Sequence, residues 1–442
     1  VFKGTAHFSG QDLARKVQER GGHWNAYTSV NRTVYYIDGP AESWQIFLNL
    51  LTELVFFPTF PEDEMEREKE VVRREMAMYA DDPDSVAYQL LMQTLYLKHP
   101  RRWPVLGERA AFDCLTRQDV LDYHASRYVP NNVVLSIAGD VDAAEILSHL
   151  ELLVEDLKSR PLNREPIPHE PHQFGSRRVR KEFAVPYSKL HLAWRLPCSA
   201  HPDTPALSAL SSILGGGRSA RFYEKFHDRL GLVYSIEVHS NQSETDEGAF
   251  TISMDVDRAQ RDKVRDLVLQ ELRNLAEEDF TEDLKRVCKQ TRVSRLRRRS
   301  SASGVASEMG ADWFGSRNLN LSSEWQEAIE RVTTEDLHRV CSTWLSSPNV
   351  TEVSLDPPGS NAGDEERASA SAGTALSEHV LGNGMKVVIR EDHRLPLAYA
   401  CMAFKAGCRA ENEHDAGVTD LMAECFGRCA LPCFEPFHPR SP

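Results

Sequence analysis

The sequence lacks long apolar runs and is poor in cysteine. A bilayer-spanning helix needs about 20 consecutive apolar residues, and the best candidate, residues 46–57, is too short, so no membrane span is predicted. Nine cysteines in 442 residues are an odd number at low density, which argues against a disulfide scaffold and for a reducing compartment. Three cysteines near the C-terminus have helical spacing, namely Cys425, Cys429 and Cys433. They form no C-x-x-C pair, so no dedicated zinc site is predicted there.

The chain also has fewer basic than acidic residues. The chain has 52 Lys and Arg against 66 Asp and Glu, a formal net charge of -14, which gives no reason to expect nucleic acid as the partner. Three glycines stand at residues 215–217, but neither nucleotide-binding glycine pattern follows them, so no phosphate site is predicted. The first residues show no methionine and no charged-then-apolar leader, and the compartment is left open between cytoplasm and periplasm.

The remaining composition is that of a soluble globular protein with more than one domain. Hydrophobic residues make up 41% and charged residues 27% of the chain, as in ordinary globular proteins. A length of 442 residues indicates two or three domains, because one domain averages about 150 residues.

Local patterns predict helices mixed with strands in the first part of the chain. Thr, Tyr and Val at residues 23–29 and 32–38 favour two strands of a hairpin around Val30-Asn31. Residues 62–79 begin after a proline with acidic residues, which suits the start of a helix. The apolar residues 132–138 predict a further strand.

The same mixture returns in the second part, and two low-complexity segments divide the chain. We predict an α+β protein with two similar mixed domains, each an antiparallel-rich sheet packed by helices, and the start of a third. The predicted limits are a first domain at 1–158, a Pro-rich linker at 159–176, a second domain at 177–355, a flexible linker at 356–375 and an incomplete unit at 376–442.

Two glutamates in the first domain are spaced for joint chemistry. Glu68 and Glu75 are seven residues apart, about two helical turns, so their carboxylates share one face of a helix. One could bind a metal while the other steadies its surroundings. A solvated charged helix explains the same spacing, because arginines are interspersed between the glutamates, and from spacing alone this second interpretation is preferred.

Seven segments in a fixed order resemble the M16 family of zinc metallopeptidases, which includes pitrilysin, insulinase and the mitochondrial processing peptidase. The resemblance covers nearly the whole chain. The matching segments are VFKGT at Val1, GGHWNAYTSVNRTVYY at Gly21, FFPTFPEDEMEREKEVVRREM at Phe56, HPRRWPVLG at His99, YVPNNVVLSIAGDV at Tyr128, LGGGRSARFYEKFHDRLGLVYS at Leu214 and NGMKVVIREDHRLPLAYACMAFKAG at Asn383.

The resemblance implies a catalytic zinc site of which this chain carries one part. In the family an H-x-x-E-H helix supplies two histidine ligands and a catalytic glutamate, and a glutamate farther along is the third ligand. The H-x-x-E-H motif is expected just before Val1, so no catalytic residue of that motif is present here. Glu75 matches the third-ligand position, and Glu68 matches a nearby acidic residue that orients the ligand set.

The resemblance also implies residues that hold substrate. Asn25, Ala26, Tyr27 and Thr28 match the family's edge strand, which binds a peptide through main-chain hydrogen bonds. Tyr234 matches a tyrosine that holds the substrate backbone in some members, but the arginine expected seven residues earlier is His227. An ordinary strand residue that packs on the core is the preferred interpretation of Tyr234.

The C-terminal segment resembles the degenerate second half of tandem M16 proteins. Where an active copy would have H-x-x-E-H, residues 420–424 read Asp-Leu-Met-Ala-Glu. The resemblance therefore implies a second M16 half, in the same chain or in a partner subunit, that helps to enclose substrate.

The leading hypothesis is a fragment of a zinc metalloendopeptidase that hydrolyses peptides or small unfolded proteins by zinc-activated water. One glutamate cannot hold catalytic zinc, so the chain by itself is expected to be inactive. The alternative is a non-catalytic M16-like subunit that binds peptide or serves as a scaffold. Substrate, cleavage preference and oligomeric state are not predicted.

Overall fold

The computed structural model describes residues 2–162, 166–242, 247–345, 348–359 and 376–390. The chain divides into two compact units, residues 1–365 and 366–442. Among the described residues, no helix combines the length and the apolar character needed to cross a membrane. The domain limits drawn within residues 1–365 stay a prediction.

Helices dominate the first part of the larger unit, and one hairpin accompanies them. The elements are α1 (Gly10–Glu19), β1 (His23–Thr28), β2 (Thr33–Asp38), α2 (Trp44–Phe56), α3 (Glu62–Asp81), α4 (Pro83–Leu95), α5 (Arg109–Cys114), α6 (Arg117–Arg127) and α7 (Ala143–Val154).

A five-stranded sheet organises the second part. Its elements are β3 (Arg177–Glu182), β4 (Ser188–Leu196), α8 (Thr204–Gly215), a π-helix (Tyr223–Arg229), β5 (Val233–Asn241), β6 (Gly248–Val256), α9 (Arg261–Asn274), α10 (Thr281–Arg298), α11 (Ala302–Ser316), α12 (Leu321–Glu330), α13 (Thr334–Val340), a second π-helix (Cys341–Leu345) and β7 (Thr351–Asp356).

The hairpin predicted around Val30-Asn31 is confirmed. Strands β1 and β2 pair antiparallel, and the Ser29 amide donates to the Arg32 carbonyl at 2.8 Å to close the turn. Trp24, on the inward face, lies beside a small core that contains Leu13 and Leu54. Apolar residues on one face of each strand therefore decide which side of the hairpin is buried.

The strand predicted at residues 132–138 is wrong. This segment has no regular secondary structure beyond a short 3₁₀ turn, Pro130–Asn132, and the side chains of Val133 and Leu135 are exposed. An extended apolar segment becomes a strand only when another strand pairs with it. Within the described part of the chain, none pairs with this segment.

The five-stranded sheet has the order β3-β7-β4-β6-β5, and only the β3–β7 pair is parallel. One face of β4 packs Leu190, Leu192 and Trp194 into the main hydrophobic core, together with α8, α9 and α13. Complete burial of such side chains contributes about 1.5–3 kcal/mol each. The sheet is thus the stable centre of the larger unit.

The other face of the sheet binds α4, which comes from the first part of the chain. Leu91 and Leu95 of α4 pack on Ala193 and Val353 of the sheet. The Tyr96 hydroxyl, just beyond α4, donates to the carbonyl of Gly248 in β6 at 3.0 Å. Apolar packing and buried hydrogen bonds together fix α4, and with it α3, on the sheet.

The Pro-rich segment predicted as a linker is extended, and hydrogen bonds hold it at several points, among them Glu170 and Gln173. Within its described residues, 159–162 and 166–176, it contains no helix or strand. The Glu170 carboxylate accepts hydrogen bonds from the backbone amides of Leu97, Lys98 and His99. The linker therefore fastens to the loop that follows α4.

The smaller unit is described only for residues 376–390. Strands β8 (Leu376–Val380) and β9 (Lys386–Arg390) form an antiparallel hairpin, as Asn383-Gly384 predicts. Gly384 has a φ of +84°, which glycine adopts without strain. The degenerate motif at residues 420–424 and the three C-terminal cysteines lie outside the described residues.

Gly215 at the end of α8 lies too close to β5 for any side chain. A Cβ atom there would be 2.4 Å from the Val238 nitrogen. We expect Gly215→Ala to lower the free energy of unfolding by about 1–3 kcal/mol, because backbone must shift to relieve the clash. Urea unfolding measures this loss. The control is Gly382→Ala, where no atom of a described residue lies within 4 Å of the added Cβ, and equal midpoints for the two variants would contradict the expectation.

His191, on the β4 face toward α4, should make stability depend on pH. Its Nδ1 lies 2.8 Å from the Ser253 hydroxyl. Burial, helped by the charge of Lys189, lowers the pKa of His191 to about 4, from an ordinary 6.5. Between pH 6.5 and pH 4 the His191 imidazole binds a proton in the unfolded chain but stays neutral in the folded chain. The free energy of unfolding therefore falls by about 3 kcal/mol as the pH is lowered to 4.

Chemical unfolding at pH 7, 5.5 and 4 tests this dependence. The His191→Gln variant should lose less stability than the unmodified protein between pH 7 and pH 4. The exposed His239 provides the control His239→Gln, which should keep the full loss. Parallel curves for His191→Gln and the unmodified protein would disprove the role of His191.

Candidate functional site

Helix α3 carries both predicted acidic site residues on one continuous helix. It begins after Pro61 with Glu62, Asp63 and Glu64 in its first turn, and it ends at Asp81. The acidic first turn interacts favourably with the helix dipole. No residue of α3 is fully buried, so most of the helix has the charged, solvated character that the spacing alone suggested.

Glu68 is engaged in an ion pair with the beginning of the chain. The Lys3 ammonium lies 2.8 Å from the Glu68 carboxylate, and both side chains are about half exposed. The hydrogen bond to Glu68 raises the pKa of Lys3. A cavity of about 190 Å³ adjoins this pair, with Phe60 and Met65 in its lining.

Glu75 differs from most of the other glutamates of the helix. Across the described part of the chain, no hydrogen bond or ion pair involves the Glu75 carboxylate, and the residue is only partly exposed. Four of the other glutamates pair with cations, in the pairs Glu64–Arg67, Glu66–Lys69, Glu68–Lys3 and Glu70–Arg73. Glu62, in the first turn, is exposed and has no such pair among the described residues. A half-buried carboxylate that no described residue engages is available to a ligand.

The described residues do not form a complete metal site. Within the ranges given above, no group of three or more His, Cys, Asp or Glu side chains is arranged to hold a metal ion. A catalytic zinc takes three protein ligands. Glu75 can therefore be at most one member of such a set, and further ligands would have to come from other segments.

The predicted substrate strand is β1, whose residues alternate between two faces. Asn25 and Tyr27 lie on the exposed face, while Ala26 lies on the half-buried face with Trp24. In the described residues β1 pairs only with β2, so its second edge is open. An open edge is the structural requirement for adding a peptide strand.

The N-terminal residues bring this strand and α3 together. The Phe2 ring packs edge to face on Trp24 of β1, with ring centroids 4.7 Å apart. The next residue, Lys3, forms the ion pair with Glu68 of α3. Two consecutive residues thus connect the predicted substrate strand to the helix that carries both glutamates.

A tyrosine pair under the hairpin was missed by the sequence analysis. The hydroxyls of Tyr35 and Tyr128 lie 2.9 Å apart, and His124 stacks on Tyr128. Burial, and then the hydrogen bond to Tyr128, raise the pKa of Tyr35 well above its ordinary range. Tyr35 therefore stays neutral and supports the strand. The two tyrosines are 93 residues apart in sequence, so no local pattern could indicate the pair.

Tyr234 lies on the edge strand β5, and its side chain is 61% exposed. The interpretation as a core-packing residue is wrong, because the neighbouring Val233 takes the buried position and turns Tyr234 outward. The Tyr234 ring lies 5.3 Å from the Tyr187 ring. His227, at the place of the family's arginine, stacks on Tyr223, and its Nδ1 lies 2.7 Å from Asp228.

Comparisons with known proteins point to one family along most of the chain. Residues 1–109 match the model described as "Insulinase (Peptidase family M16)" and residues 115–290 match the "Peptidase M16 inactive domain". A relative from Rickettsia felis, named "Uncharacterized zinc protease", is 26% identical over 359 residues, which cover 78% of this chain and 83% of the relative.

A second relative and a solved structure agree with these matches. A protein from Bacillus subtilis, also named an uncharacterized zinc protease, is 26% identical and covers 77% of this chain and 81% of its own length. The crystal structure of a protease from Helicobacter pylori superposes with a TM-score of 0.73 at 26% identity, over 80% of this chain and 87% of that one. The predicted α+β fold is thereby confirmed, and the chain belongs to the M16 (insulinase) family of peptidases.

Proposed function

We propose that the chain is the peptide-binding, Glu75-bearing part of an M16 zinc metalloendopeptidase. The observation that carries the proposal is the Glu75 carboxylate, which no described residue engages, on the helix that Lys3 and Phe2 connect to the open strand β1. A metal ligand and a strand-binding edge in one unit are the two parts that main-chain recognition and peptide hydrolysis require.

The proposed ligand set needs residues beyond those of this chain. Glu75 would be the third ligand, and the two histidines would come from an H-x-x-E-H segment that precedes Val1 in the complete protein. Zinc bound there would supply Lewis-acid activation of water and of the peptide carbonyl. Without that segment we expect no catalysis.

The chain's own residues would bind and orient the substrate. A peptide or small unfolded protein would lie along Asn25, Ala26, Tyr27 and Thr28 as an added strand, held by main-chain hydrogen bonds and therefore with little sequence preference. Glu68 would orient the ligand set from one side. Tyr234, exposed on an edge strand, would contact substrate enclosed by a second M16 half, in the same chain or a partner subunit.

A non-catalytic M16-like subunit is the second candidate. The match of residues 115–290 to a model described as an inactive domain favours it. The coding sequence immediately upstream of Val1 separates the two candidates: a His-x-x-Glu-His segment there supports the peptidase, and its absence from a full-length transcript would leave the peptide-binding subunit.

Replacement of Glu75 should remove zinc from the protein expressed with its natural upstream sequence. We expect Glu75→Gln to lower zinc affinity by more than about 100-fold, because even residues behind the ligands contribute about 10–100-fold. Metal content by mass spectrometry and cleavage of a quenched fluorescent peptide measure the loss. The matched control is Glu70→Gln, which breaks a surface ion pair with Arg73 on the same helix. Equal zinc content and activity would remove Glu75 from the site.

Replacement of Glu68 should have a smaller effect of a different kind. Glu68→Gln is expected to lower zinc affinity by about 10–100-fold if Glu68 orients the ligands. The loss of a half-exposed ion pair with Lys3 should change the free energy of unfolding by less than about 1 kcal/mol. Lys3→Met breaks the same pair and serves as the control. If both variants bind zinc equally well, Glu68 only pairs with Lys3.

A further inference from the structure

The open edge of β1 presents a defined set of main-chain groups. The hydrogen bond from the Ser29 amide to the Arg32 carbonyl, 2.8 Å long, fixes which residues of the hairpin exchange hydrogen bonds. Because bonded and non-bonded pairs alternate along an antiparallel ladder, the Tyr27–Val34 pair is bonded and the Ala26–Tyr35 pair is not. Ala26 therefore directs its N–H away from β2, toward the open edge.

The outward amide of Ala26 is already occupied by a side chain. It donates a hydrogen bond of 2.8 Å to the Oδ1 atom of Asn25, the residue before it. Asn25 itself is exposed, and among the described residues its carboxamide makes no second hydrogen bond. The carboxamide oxygen thus takes the role that the carbonyl of an added strand would take.

We propose that Asn25 is a displaceable cap on the peptide-binding edge and thereby sets what the edge accepts. This inference rests on the proposed function, since it assigns a role within the same strand. An extended peptide must replace the Asn25 oxygen with one of its own main-chain carbonyls. A peptide that cannot place a main-chain carbonyl at the Ala26 N–H leaves the hydrogen bond between Ala26 and Asn25 intact.

The chemistry of the carboxamide suits a reversible cap. An unpaired N–H on an open edge can form a hydrogen bond with any exposed strand. A cap on this N–H therefore disfavours unspecific pairing with other chains. A neutral amide oxygen accepts a hydrogen bond of about the same strength as a peptide carbonyl, so the exchange has little net cost. A carboxylate would accept a stronger hydrogen bond and hold the cap closed.

Hydrogen exchange of the Ala26 amide tests the cap without any peptide. In the 442-residue chain labelled with ¹⁵N-alanine, Asn25→Ala should accelerate exchange of the Ala26 amide several-fold, because its acceptor is removed. Asn25→Asp should slow it. The amide of Ala14, inside α1, is the internal control and should not change. An Ala26 exchange rate that is the same in all three proteins overturns the cap.

Peptide binding tests the competition. The probe is a labelled, N-acetylated peptide of alternating Ala and Ser, titrated by fluorescence anisotropy. Relative to the unmodified chain, Asn25→Ala should bind about 2- to 10-fold more tightly, the range of one neutral hydrogen bond, and Asn25→Asp should bind more weakly. His23→Ala is the matched control, because His23 belongs to a bonded pair with Asp38 on the same face.

The outcomes separate this inference from the function on which it rests. Peptide binding that is equal in all variants, or weaker in Asn25→Ala, overturns the cap and leaves the substrate strand intact. No binding by any of the proteins overturns the substrate strand and the competition together. In that case faster Ala26 exchange in Asn25→Ala would show that the hydrogen bond only protects an edge.

Discussion

The packing of α4 on the outer face of the five-stranded sheet is the contact on which the larger unit depends. Leu91 and Leu95 enter a cluster with Ala193 and Val353, and Tyr96 closes it with a hydrogen bond to Gly248. Because α3 leads into α4 with Asp82 as the cap between them, the position of the two glutamates follows from this packing. A helix without any fully buried residue of its own is held in place by its neighbour.

The candidate site consists of two groups that the described residues leave without their usual partners, the open edge of β1 and the Glu75 carboxylate. The N–H and C=O groups of a strand edge form hydrogen bonds with another strand, and a carboxylate pairs with a cation or with hydrogen-bond donors. The fold satisfies most such needs internally, as the paired glutamates of α3 show. At β1 and Glu75 the described residues leave them open, and these are the two places that the proposed function assigns to the substrate and the metal.

The sequence predicted local elements well and long-range contacts poorly. The hairpin, the helix with Glu68 and Glu75 and the Asn383-Gly384 turn follow from turn residues, caps and spacing within about 20 residues. The failed strand at 132–138 has the right residues but no partner, which no local pattern can reveal. The exposure of Tyr234 and the Tyr35–Tyr128 pair depend on sheet order and packing across 93 residues, so only the three-dimensional structure shows them.

The single parallel pair of the sheet has a consequence for biosynthesis. Strand β3 at Arg177–Glu182 finds its partner in β7 at Thr351–Asp356, register Arg177 to Thr351. During translation β3 leaves the ribosome long before β7. Strand β4 also pairs with β7, so one edge of β4 stays unpaired until β7 is made. Such distant pairing forms slowly and exposes strand edges meanwhile. Premature termination anywhere before Thr351 would therefore yield a nascent chain whose sheet cannot close, a substrate for chaperones and quality-control proteases.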